Sequence, residues 1–143
     1  MKYGTISTGS IEGLETAKDI FDAGGNAFDA AIATVFTSMT SEFALTGAGG
    51  GGALIASIKD APPIIYDFFV DSPQNNSNHT DFKKINVDFG DTSQSFHIGK
   101  SSVAIPGNIA GLLTVHQELG KLPLNIILEP AIEIAKKGIK LSP

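Results

Sequence analysis

The residues with chemical potential in this chain are few and widely spaced. Asp67 and Asp71 flank the segment "FFV". On an extended strand, residues four apart lie on one face, so the two carboxylates form a same-side pair. Such a pair offers acid/base chemistry at a strand end, or is simply two solvated turn acids. His79, His97 and His116 are scattered, and none stands near an acidic residue at metal-ligand spacing. His116 falls on the penultimate turn of an expected helix, as a partly exposed surface residue or a ligand. The absence of cysteine excludes thiolate nucleophiles, disulfides and cysteine-ligated metals. All ten basic residues are lysine, so the bidentate guanidinium fork that grips carboxylates and phosphates is missing. Serines and threonines stand without a convincing base beside them. Residue chemistry alone assembles no complete active site and implies no cofactor and no metal.

One further stretch invites a chemical reading: Thr46–Ile55, "TGAGGGGALI", with five glycines between Gly47 and Gly52. Gly47-x-Gly49-x-x-Gly52 formally matches a dinucleotide fingerprint, and Asp71 follows about twenty residues on, as that fingerprint requires. The fingerprint needs strand, glycine turn, then helix, so that the helix N-terminus meets the pyrophosphate. Here the expected order is helix, glycine turn, strand. No Gly-Lys-Ser/Thr follows for a P-loop, and the run enters apolar "ALIASI" directly, unlike a linker. The remaining reading is a backbone that passes too close to another element for any Cβ.

The elements that must position these residues follow from pattern. At 143 residues, 42% hydrophobic and 17% charged, the chain has room for one modest globular domain. A net charge of -5 argues against nucleic acid, which requires a concentrated basic face. Lys2–Ser7 suits a first strand. Ser10 then caps a helix carrying Ile11, Leu14, Ile20 and Phe21, which Gly24-Gly25 stops. Asn26 caps a second helix, "AFDAAIATVFTSM", apolar on nearly every side and therefore buried. "ALIASI" and "PPIIYDFFV" read as two strands joined by a turn at Lys59–Pro62. Gln74–Ser95 is a polar excursion with short elements at most; its sequons at Asn75 and Asn78 read as chance occurrences. "SVAIPGN" reads as a buried strand, and Asn108 as the cap of "IAGLLTVHQELG". Leu124–Lys137 forms a last helix, with Ile127, Leu128, Ala131, Ile134 and Ala135 inward and a kink or restart expected at Pro130. No bilayer-spanning run is present, and "MKYGTISTGS" lacks a signal peptide, so the expected location is cytoplasmic, with no membrane partner.

Several of these segments together resemble the γ-glutamyltransferase (γ-glutamyltranspeptidase) family, in the N-terminal part of its large subunit. "AKDIFDAGGNAFDAAIATVFTSMTSEF" is similar to the family's helix pair around G-G-N-A-x-D-A-A, and "TGAGGGGALI" to its S/T-G-I-G-G-G-G-F stretch. "YDFFVDSP" lies where the family has D-F-R-E-x-A-P. "SVAIPGNIAGLLTVHQELGKLPLNIILEPAIEIAKKGIKLSP" follows its A-V-P-G-x-V-A-G, L-P and P-A-I-x-x-A-x-x-G run. The resemblance covers nearly the whole chain in order, most loosely at Gln74–Ser95.

What the resemblance implies is an α/β (α+β) fold, the αββα sandwich of the N-terminal-nucleophile hydrolases, of which residues 1–143 would be one partial domain. It implies a self-cleaving precursor whose small subunit begins with a threonine nucleophile, its own amine acting as base. That threonine attacks the γ-glutamyl amide of glutathione-like substrates, and the acyl-enzyme passes to water or to an acceptor amine. This chain has no Thr-Thr pair. The expectation is an N-terminal fragment, inert alone, whose partners are the rest of the large subunit and the small subunit, with a non-catalytic remnant or scaffold as the alternative. A fragment by itself should leave its sheet incompletely covered and tend to self-associate.

One departure bears on the substrate. The family's arginine of D-F-R-E grips the α-carboxylate of the γ-glutamyl group, and the matching position here is Phe69, followed by Val70. A phenyl ring makes no charge-assisted bond to a carboxylate. Phe69 is therefore an apolar wall for a different acyl group, or a core residue, or another region supplies the cation.

Overall fold

In the computed structural model, residues 4–73 and 81–140 are described. The two sequons and His79 lie outside them, as do Lys2 and Tyr3 of the expected first strand. Residues 4–7 form no regular element, for no described strand pairs with them.

The chain then builds helix α1 (Ile11–Asp22) and helix α2 (Ala27–Ser41). Ser10 Oγ accepts from Gly13 N at 3.2 Å, fixing the first turn of α1. After the helix, Gly24 takes φ +88, a backbone that glycine reaches without Cβ strain, and the chain reverses. The buried stripe of α1 is Gly13, Thr16, Ala17 and Ile20; of the expected stripe, Ile20 is buried and Phe21 packs on the core, whereas Ile11 and Leu14 are exposed. Helix α2 buries Asp29, Ala30, Ile32, Ala33 and Thr37, in line with its nearly uniform apolar character. Where α1 and α2 meet, Thr16 and Thr37 hydroxyls pair at 3.0 Å, which satisfies both buried groups.

Strands β1 (Gly52–Ala56) and β2 (Ile64–Phe68) pair antiparallel, Gly52 opposite Phe68 and Ala56 opposite Ile64, around a turn in which Asp60 adopts φ 62. Their alternation splits the sheet. Leu54, Tyr66 and Phe68 pack on the helical core. Ile55 and Ile65, facing each other on the opposite side, are 71% and 70% exposed.

The polar excursion holds the short elements allowed for it, the second running three residues past Ser95: β3 (Lys83–Asp88) and β4 (Ser93–Ile98) form a second antiparallel sheet. Its pairing of Ile85 with Phe96, and the stacking of Phe82 on His97 at 4.5 Å, supply the cross-strand contacts that polar composition obscured. "SVAIPGN", by contrast, is no buried strand. Past a 3-10 turn at Lys100–Ser102, Val103 and Ile105 are exposed, and only Ile105 pairs, with Asp71. Pro106 has no N–H to extend that ladder.

Helix α3 (Asn108–Leu119) follows, then α4 (Leu124–Lys137). Asn108 is the first helical residue of α3, not its side-chain cap; Gly107 stands at the cap position without a side-chain bond. Helix α4 runs as one element through Pro130. The ring forfeits one bond, to the carbonyl of Ile126, while Ile127 and Ala131 on either side of it are buried and hold the helix in place. Leu128 and Ile134 are half-buried and Ala135 is exposed. The core gathers Ala17 and Ile20 of α1, Ala30, Ile32 and Ala33 of α2, Leu112 and Val115 of α3, and Ile127 of α4. Among the described residues no helix is long and apolar enough to cross a membrane.

Candidate functional site

The glycine run, the end of β2 and the start of α3 converge. Gly50 N donates to Gly47 O at 3.1 Å, closing a tight turn. Gly50 O then accepts from both Gly107 N and Asn108 N, each at 3.1 Å, and Asn108 Nδ2 donates to Gly47 O at 2.8 Å. Asn108 is 5% exposed, so its amide is committed to this tie. A Cβ on Gly51 would lie 2.5 Å from Val70 N and 2.8 Å from Phe69 Cα. One on Gly107 would run into the Phe68 carbonyl and lie 2.9 Å from Phe69 O. Within the run, Gly51 is therefore the close-approach position that the residue pattern implied, with Gly107 facing it, whereas a Cβ on Gly47 or Gly49 would meet nothing within 4 Å. The order helix, glycine turn, strand rules out a dinucleotide cradle.

Phe69 emerges from that convergence 68% exposed, so it is not core in this chain. Continuing the pairing one step beyond Gly52 and Phe68 sets Gly51 opposite it on one side. Counting back from the Asp71–Ile105 bridge sets Gly107 opposite it on the other. The ring thus rises from a backbone floor with no side chain on either flank. By strand alternation it shares its face with Ala53, Ile55, Ile65 and Asp67. Neither β1, β2 nor the 103–107 segment contains a lysine. A cavity of about 380 Å³ beside the glycine turn is lined by Phe43, Leu45, Gly47, Gly50 and Asn108.

The other candidates separate. Asp67 and Asp71 are exposed and take local turn bonds, from Phe69 N at 3.1 Å and Ser72 N at 2.7 Å; the pair is solvated turn acid. His97 stacks on Phe82, and half-buried His116 places Nε2 2.8 Å from Leu122 O. No group of three or more His, Asp or Glu among the described residues is set to hold a metal ion. Beside the site, Tyr66 donates to Glu118 Oε2 at 2.7 Å. That bond, then partial desolvation and the carboxylate's charge, raise the phenol above its ordinary 10.0.

Sequence patterning overlooked two polar residues of the interior. One is Asn108, expected as a cap. The other is Asp29, 0% exposed, whose Oδ2 accepts from Asn26 N and Oδ1 from Lys121 N, both at 2.9 Å, with Leu122 N at 3.3–3.4 Å. Asn26 returns the link through Nδ2 to Leu119 O at 2.7 Å. The N-terminus of α2 thereby clamps the α3–α4 connection, which accounts for the G-G-N-A-x-D spacing.

Compared with protein families, residues 14–143 match the gamma-glutamyltranspeptidase model. The chain belongs to that family. The glutathione hydrolase proenzyme of Pseudomonas aeruginosa is 33% identical over 97% of this chain, and an acylase proenzyme of a Pseudomonas species 30% identical over 85%. Among solved structures, the transpeptidase CapD of Bacillus anthracis superposes with a TM-score of 0.74 at 28% identity, over 99% of this chain and 42% of its own. The fold is accordingly a partial region of the αββα architecture seen in gamma-glutamyltranspeptidase structures. This chain spans 24% and 22% of the length of the two proenzymes.

Proposed function

We propose that this chain is the amino-terminal portion of the large subunit of a gamma-glutamyltranspeptidase-type enzyme that cleaves an acyl amide and transfers the acyl group to water or an amine. The observation that carries the class is the family match across residues 14–143. In this reading a threonine outside these 143 residues is the nucleophile, and the chain supplies a wall of the acyl pocket. Farther along the face that carries Phe69, bare Ile55 and Ile65 are the surface that the rest of the enzyme covers, which leaves Phe69 past the end of β2 to meet the acyl group.

The acyl group is not an α-amino acid presenting a free carboxylate to this wall. Phe69 offers that group an apolar ring, Asp67 on the same face repels an anion, and no cation lies on the paired segments. The test is turnover by the whole enzyme of γ-glutamyl-p-nitroanilide against a neutral arylacetyl-p-nitroanilide. The neutral amide should be turned over and the γ-glutamyl compound should not. Phe69→Arg should restore γ-glutamyl turnover by at least about tenfold, the value of one charge-assisted bond. Efficient γ-glutamyl cleavage by the unaltered enzyme would overturn the specificity reading.

A further inference from the structure

We infer that Asn108 is the positioning residue for the side chain at position 69; its bearing on substrate rests on the reading above that this side chain meets the acyl group. Position 69 belongs to no regular strand, since β2 ends at Phe68 and the next pair is the single bridge at Asp71. Among the described residues its one side-chain tether is local, Phe69 N to Asp67 Oδ1. What fixes its main chain is enclosure between Gly51 and Gly107.

Those two glycines come from segments 56 positions apart in sequence, and neither has a side chain with which to hold the other. Asn108 supplies the hold. Its Nδ2 reaches Gly47 O and its own N–H reaches Gly50 O, which also accepts from Gly107 N, so two of the three bonds between the glycine turn and the start of α3 are Asn108's. The jaw closed by these bonds contains the backbone of Phe69. A helix-capping role does not explain the geometry, because the Asn108 side chain bonds across to the turn and not to its own helix.

The consequence is testable without any assumption about catalysis, by hydrogen–deuterium exchange of segments 47–52 and 66–70 in the whole protein. Asn108→Ala should accelerate exchange in both segments together, by about fivefold for the loss of one ordinary hydrogen bond. Exchange in α1 should not change. Asn108→Asp keeps the volume but replaces the donor with a carboxylate that repels the Gly47 carbonyl, so it should accelerate exchange in both segments at least as much as the alanine variant. Acceleration confined to 47–52, or wild-type exchange in Asn108→Asp, would overturn the inference.

A second readout uses the neutral anilide. Asn108→Asp should raise KM by about fivefold with kcat within about twofold, and this rise should vanish in a Phe69→Ala background, because the residue acts through position 69. A KM effect that persists in that background would also overturn it. Should no acyl amide be turned over at all, the functional reading fails, while the exchange result still decides the role of Asn108.

Discussion

Replacing Asp29 tests whether one buried carboxylate joins the two halves of the helical core. Its oxygens accept two well-formed backbone bonds, from Asn26 and Lys121, and a longer one from Leu122. Bonds to a charged acceptor contribute about 1.5–3 kcal/mol each, and removing the acceptor also leaves buried donors unpaired. The two short bonds alone give Asp29→Ala a cost of about 4 kcal/mol. Asp29→Asn keeps the shape and one acceptor but turns an NH₂ group toward a backbone donor, so it should cost about 2 kcal/mol. Urea titration followed by circular dichroism reads both as shifts of midpoint at unchanged slope. A cost below about 1 kcal/mol for Asp29→Ala, or an asparagine variant as stable as the parent, would refute the clamp.

Three further outcomes follow from the same structure. Gly51→Ala should destabilise by about 1–3 kcal/mol in the same titration, because its Cβ meets backbone atoms of Phe69 and Val70 that cannot rotate aside. Gly49→Ala, with nothing within 4 Å, should stay within about 0.5 kcal/mol. Phenolate absorbance should show Tyr66 ionising above its ordinary 10.0, and Glu118→Gln should bring it back down. Because the folded state holds this proton more tightly, its contribution to stability is complete below pH 10 and is lost as pH rises through the raised value.

Local signals were legible wherever one residue type has one physical use. Ser10 and Asn26 mark helix starts because their short polar side chains reach the first free N–H groups, and both do so in the structure. The uniform apolar pattern of α2 and the bounds of α4 were likewise readable. Polarity hid the pairing of the short strands β3 and β4, where every residue of β4 is exposed and the strands are held by each other instead of a core. The apolar look of "SVAIPGN" misled in the opposite sense, since a strand needs a neighbour and these residues find one only at Asp71. For the site, the glycines announced close approach but not what approaches. That Phe69 lies between Gly51 and Gly107 depends on a register across three segments, which no local window contains. The role of Asn108 was hidden by its resemblance to an ordinary cap.

The pairing of α2 with the loop before α4 also sets an order of assembly. Asp29 and Lys121 are 92 residues apart, and the core that Ile32 shares with Ile127 cannot close until both have left the ribosome. At synthesis rates of about 5–20 residues per second, the nearly all-apolar α2 waits for at least several seconds with only α1 beside it. During that interval it is a target for chaperones and a hazard for aggregation. The cost of closing so long a loop grows only slowly with its length. The β3–β4 hairpin, which lies between the two contact points and contributes nothing to the core, is therefore the place where this fold can gain or lose residues without disturbing the order in which its core forms.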